Sequence, residues 1–129
     1  MSSEATRQVG RRQARRQALF LLYQWDLTEQ PLATLYEGVP DAFASQLAGA
    51  SAATALDVRI TAASEDWPAD RLGTLERNIL RIGVYELEEG TVPAEVAINE
   101  AVLLAKRYAT EEAARLVNGI LGRILREAS

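Results

Sequence analysis

Four arginines fall within six residues, Arg11, Arg12, Arg15 and Arg16, with no acid among them. A guanidinium forks onto phosphate oxygens and stacks on the face of a base, so such a run is chemistry for holding a polyanion, not for breaking bonds. On a helix, at about 100° per residue, the four sweep an arc of roughly 140° and make one basic face beside an apolar stripe. Tyr23 lies in line with Arg12 and Arg16, with Phe20 close by, which adds stacking surface to phosphate contacts. A solvated helix end is the alternative reading of the same residues. Two features speak for a ligand. Cations at a helix start oppose the macrodipole by about 0.3–1 kcal/mol each, a cost that needs an offset. The cluster is also all arginine, where the whole chain has a single lysine, Lys106.

Little other chemistry is on offer. The chain has no cysteine and no histidine, which removes disulfides, thiolate nucleophiles, the usual zinc sites and imidazole acid–base work together. The acid pairs Glu88-Glu89 and Glu111-Glu112 are adjacent on helices, so their members face about 100° apart and do not converge on one substrate. No catalytic residue, metal or cofactor is expected. Gly119-Ile120-Leu121-Gly122 matches a GXXG loop in form, but its central pair continues an apolar stripe.

Charge is divided unevenly. Residues 1–17 hold five arginines against Glu4, a balance of +4, so with a net charge of −4 the remaining 112 residues carry −8. Such a chain binds polyanions at one end rather than all over. With 48% apolar and 25% charged residues in 129, it is sized and composed as one folded domain. No apolar run suits a signal-peptide core or a membrane span, so a cytoplasmic location without membrane contact is expected.

The basic face needs elements to hold it. Ala14, Ala18, Leu21, Leu22 and Trp25 recur at helical spacing and predict a first helix from Val9 to about Thr28. A short helical piece is expected over 31–37. Residues 41–64, with nine alanines and the anchors Phe43, Leu47, Leu56 and Ile60, predict one long helix or two separated by a kink. Over 70–89, Leu72, Leu75, Ile79, Leu80, Ile82, Val84 and Leu87 cover too broad an arc for a surface helix and mark the central one. Gly83 there would admit a close neighbour, at about 1 kcal/mol in propensity. Gly90 closes it. Pro93 opens a helix through Tyr108 on the face of Ala97, Ala101 and Leu104, and Thr110 N-caps a last helix carrying Val117, Ile120, Leu121 and Ile124. No strand alternation appears. The expected fold is an all-α bundle forming a single domain over 1–129, with residues 1–8 flexible.

Two asparagines, Asn99 and Asn118, sit within predicted helices, and the expectation is structural: each amide hydrogen-bonds a neighbouring helix. Around them the residues become recognisable. Ile79-Leu80-Arg81-Ile82-Gly83-Val84-Tyr85-Glu86-Leu87, Val92-Pro93, Ala97-Ile98-Asn99-Glu100-Ala101, Ala105-Lys106 and Val117-Asn118-Gly119-Ile120-Leu121 resemble, in order and spacing, the NusB family of transcription antitermination factors. The likeness extends to the arginine-rich start, Tyr23-Gln24-Trp25, Leu56-Asp57, Ile60, Trp67 and Arg71-Leu72, and so spans nearly the whole chain.

The resemblance implies a NusB-like fold of two small antiparallel helical subdomains sharing a long central helix. It implies antitermination on ribosomal RNA operons: binding of single-stranded boxA RNA together with the ribosomal protein NusE, then joining the RNA polymerase elongation complex with other Nus factors. By position it makes Arg11, Arg12 and Arg15 the RNA-binding motif, which Arg16 extends. It adds Glu112 and Arg115 at the start of the last helix, where Leu116 replaces a frequent phenylalanine. For the NusE surface it points to Glu76, Arg77 and Glu86. The same domain resembles the N-terminal part of certain ribosomal-RNA cytosine methyltransferases; with no S-adenosylmethionine domain after Ser129, a free-standing factor is expected. The alternative is a protein-interaction or homodimerisation module in ribosome assembly, its arginines meeting acidic protein, without direct sequence-specific RNA binding.

Overall fold

The computed structural model describes residues 3–28, 54–64 and 72–128, and every regular element among them is an α-helix. The helices are α1 (Ser3–Thr28), α2 (Thr54–Ala63), α3 (Thr74–Glu89), α4 (Ala94–Tyr108) and α5 (Glu111–Ala128). The expected helix over 31–37, most of the alanine-rich stretch, Trp67 and Arg71 lie outside the described residues.

α3 is the central helix, packing against all four others. It buries Ile79, Leu80, Ile82 and Val84, and with them the polar Asn78, Arg81 and Glu86. Gly83 earns its place by proximity: a Cβ built there would lie 2.7 Å from Leu121 Cδ1, so the Leu121 side chain of α5 packs directly onto the bare backbone of α3. At the C-terminus Gly90 takes φ 71°, a left-handed cap suited to glycine, and its N–H donates to the Glu86 carbonyl at 3.1 Å. A three-residue turn then leads through Pro93, whose φ of −56° is preset for helix entry, into α4.

α4 turns small residues inward, Ala97, Ala101 and Ala105, which lets it lie close to α3 and α5. Thr110 caps α5 as expected, its hydroxyl accepting from the Ala113 N–H at 2.9 Å. The buried residues Ala113, Val117, Ile120, Leu121 and Ile124 of α5 keep the i, i+3, i+4 spacing of a single face, and Ile120 and Leu121 of the GXXG look-alike are part of it.

Three expectations change. α1 begins at Ser3, so Arg11 stands more than two turns inside the helix. The macrodipole acts within the first turn and imposes no cost on the arginines. Asn99 and Asn118 are exposed, because each falls on the solvent side of its helix. The buried amide is Asn78, which donates to Asp26 at 3.1 Å and to the Thr74 carbonyl at 2.9 Å, and accepts from Arg81 at 2.8 Å.

Candidate nucleic-acid interface

The four arginines of α1 divide by direction. Ala14, Ala18, Leu19 and Leu22 bury one arc of the helix, and Arg15 lies within that arc. It is 1% exposed and grips Glu86 of α3 with both prongs, Nε to Oε1 at 2.6 Å and Nη2 to Oε2 at 2.8 Å. Two corrections follow. Arg15 is not an outer phosphate contact but a buried cation. Glu86, expected on a partner surface, is 2% exposed and is its counter-ion. The physical reason is common to both: a charge at a core position is stable only when paired and hydrogen-bonded.

The other three arginines reach the surface. Arg12, with 58% of its side chain exposed, donates through Nε to Glu100 Oε1 of α4 at 2.9 Å. Arg11 is half-buried and reaches Thr91 Oγ1, past the end of α3, at 3.4 Å. Arg16, also half-buried, faces the space between α1 and α4.

That space is a groove of about 400 Å³. Arg12, Arg15 and Arg16 line it from α1; Glu100, Leu103, Leu104, Lys106 and Arg107 line it from α4. α1 and α4 run parallel beside it, since Arg12 meets Glu100 at one level and Phe20 packs edge-on against Tyr108 at another, with ring centroids 5.3 Å apart. Phe20 remains 46% exposed, and the Arg107 guanidinium lies 5.5 Å from the Tyr108 ring. Cations and aromatic faces therefore share one strip, as binding of a single-stranded nucleic acid requires. Sequence reasoning missed Lys106 and Arg107 as site residues. Two adjacent cations before a tyrosine, on the helix turn facing the arginine stripe, were the available signal.

A second cleft, of about 370 Å³, opens where α3 and α5 begin. It brings Glu76 together with Glu112, Arg115 and Leu116, residues expected separately at a protein surface and an RNA surface. Arg77 turns away from it to α1, donating to Asp26 Oδ2 through Nη2 at 2.7 Å and Nε at 3.2 Å. Beside it Arg81 forks onto Asp57 of α2, both bonds 2.7 Å, and lies 5.5 Å from the Trp25 ring. Burial works against the Arg81 charge, but Asp57 and Asp26 outweigh it and hold its pKa above the ordinary value. This cluster joins three helices and takes no part in the groove. Among the described residues no group of three metal-ligating side chains converges, and no helix is long and apolar enough to cross a membrane.

Comparison with known proteins bears on the same residues. The model of the NusB family matches residues 12–126. The chain is 38% identical to the transcription antitermination protein NusB of Solibacter usitatus, covering 92% of this chain and 90% of the relative. It is 40% identical to that of Rubrobacter xylanophilus, covering 88% of each. In structure it is similar to NusB in a crystal of the antitermination factors NusB and NusE with double-stranded RNA: TM-score 0.75, 32% identity, 91% of this chain and 96% of the other.

Proposed function

The chain belongs to the NusB family, and from that membership we propose that it is a transcription antitermination factor. As one RNA-binding domain in the cytoplasm, it binds single-stranded boxA RNA of ribosomal RNA operons together with NusE and carries it to the elongating RNA polymerase with other Nus factors. It acts by binding, without catalysis. The observation that carries this reading is the groove: Arg12, Arg16, Lys106 and Arg107 from two helices gather around one acid on a chain whose net charge is −4. An acidic protein that concentrates cations in one cleft is built for a polyanion there. Arg11 extends the strip at one end, and Glu112 with Arg115 lies toward the other. Glu76, half-buried at the second cleft, is the remaining candidate for NusE, with Arg77 held back by Asp26.

The test is a salt titration of binding to single-stranded boxA RNA, to its duplex and to DNA of the same sequence, with and without NusE. Affinity for the single strand should fall with salt and rise with NusE. Arg12→Ala with Arg16→Ala should flatten the log–log slope by about 0.7 per lost contact in a chain that stays folded by circular dichroism, with a lower melting temperature because the buried Glu100 loses its hydrogen bond from Arg12. Equal affinity for RNA and DNA, or an unaltered slope in the double variant, overturns the proposal.

A further inference from the structure

We propose that the α1–α4 groove is a nucleobase pocket, in which Arg15 and Glu100 read the edge of one extruded base while the rim cations hold its flanking phosphates. The inference rests on the RNA-binding reading above and deepens it. Its starting point is an unsatisfied donor. Arg15 Nε and Nη2 are taken up by Glu86, but Nη1, fully buried, has no hydrogen-bond partner. The second acid beside it is Glu100, whose Oε2 stands 3.9 Å from Nη1, too far for a hydrogen bond. A buried guanidinium N–H left without an acceptor is costly, and Arg15 lines the groove, where an acceptor can be supplied by a ligand.

Glu100 decides what kind of ligand. Among the described residues it is the one acid lining a groove that also holds Arg12, Arg16, Lys106 and Arg107, and it sits beside the orphaned N–H. A phosphate carries acceptors only and is repelled by that carboxylate. The pairing edge of every base places an acceptor next to an N–H donor, which matches an arginine N–H next to a carboxylate oxygen. The wall fits as well: Leu103, 49% exposed with no core to fill, and Leu104 beneath it offer apolar surface to the face of a ring. Lys106 and Arg107, at the last turn of α4, then take the backbone on the side opposite Arg12 and Arg16. Flipping one base into a pocket between such rails costs its stacking on neighbours, a cost smallest in a single strand.

Glu100→Gln separates this from a pocket that holds phosphate alone. Removing an acid from a cationic groove strengthens phosphate binding. It weakens base reading, because the amide that keeps accepting from Arg12 turns a donor toward the base. The experiment measures anisotropy of a labelled single-stranded boxA RNA in which each base in turn is replaced by an abasic ribose. One position should lose about 10-fold in affinity, the scale of a stacked and hydrogen-bonded base. Glu100→Gln and, separately, the exposed Leu103→Ala should each weaken the intact RNA several-fold and abolish the penalty at that same position. Tighter binding by Glu100→Gln, or a flat abasic scan with salt-dependent RNA binding intact, overturns the pocket and leaves the RNA-binding reading standing. Failure of the parent protein to bind RNA at all sinks both.

Discussion

Two points along α1, its C-terminal end and its middle, are tied to the bundle by ion pairs of opposite polarity. Near its C-terminus an acid of α1, Asp26, meets cations of α3, Arg77 and Arg81; about 16 Å along the helix a cation of α1, Arg15, meets acids of α3 and α4, Glu86 and Glu100. The reversal fixes register, since any slip of α1 along the antiparallel α3 unpairs charges at both points at once. The difference between them is closure. Around Arg81, the fork onto Asp57, the bond to Asn78 and the contact with Trp25 use what the guanidinium offers. Around Arg15, one N–H is left over and a groove lies beside it. The same chemistry thus makes a brace at the C-terminal end of the helix and a brace combined with a binding floor at its middle.

The largest effect is expected where the brace is driest. Arg15→Ala strands Glu86 as an unpaired buried carboxylate and should cost about 3–5 kcal/mol in chemical denaturation. Arg15→Lys should recover little, because a point charge cannot replace the fork. Arg81→Ala should cost less, since the Asp57 side chain it abandons is 27% exposed and can hydrate. Equal losses at the two arginines would break the distinction between a dry end and a wetted one.

The asparagines sharpen it at smaller scale. Asn78→Ala removes an amide that bonds Asp26, the Thr74 carbonyl and Arg81, and should cost about 1–3 kcal/mol by thermal melting. Asn118→Ala, on the exposed side of α5, should stay within about 0.5 kcal/mol. If the two swap order, the closed network at the C-terminal end of α1 is not what stabilises it.

Much of the fold was legible because local rules decide it. The Thr110 cap, the Gly90 stop, the close approach at Gly83 and the apolar face of α5 each depend on residues near in sequence or on one repeating period. The site was legible only as a cluster. Helical spacing puts Arg15 beside Ala18 and Leu19, but whether such a residue points to solvent or into the core depends on what another helix places opposite. The hint lay elsewhere in the chain: Glu86 and Glu100 occupy core positions among Ile82, Val84, Ala97 and Ala101, and a carboxylate there demands a buried cation. Asn99 and Asn118 show the converse. Helix propensity marks them as anomalous without saying which side of the helix they occupy, while Asn78 sits inside a strongly apolar run that gives no sign of its bonds to Asp26 and Arg81.

Tyr85 should show the smallest effect and reports on the acid-rich end alone. A hydrogen bond to Glu89, then partial burial, then the charges of Glu89 and Glu86 push its phenol from 10 up to about 12. The folded chain therefore holds this proton more tightly than the unfolded one, so the associated stability is fully present below pH 10 and is lost as pH rises through about 12. Tyr85 is partly exposed, which screens the effect on stability and makes the titration itself the better readout. In the ultraviolet difference between the parent and Tyr85→Phe, the phenolate should appear near pH 12; in Glu89→Gln it should appear nearer 10. Asp57→Asn, at the opposite end of the α1–α3 contact, should leave it in place. If both acid substitutions move it equally, the shift belongs to the overall negative field of the protein, and the two ends are electrostatically less separate than their geometry implies.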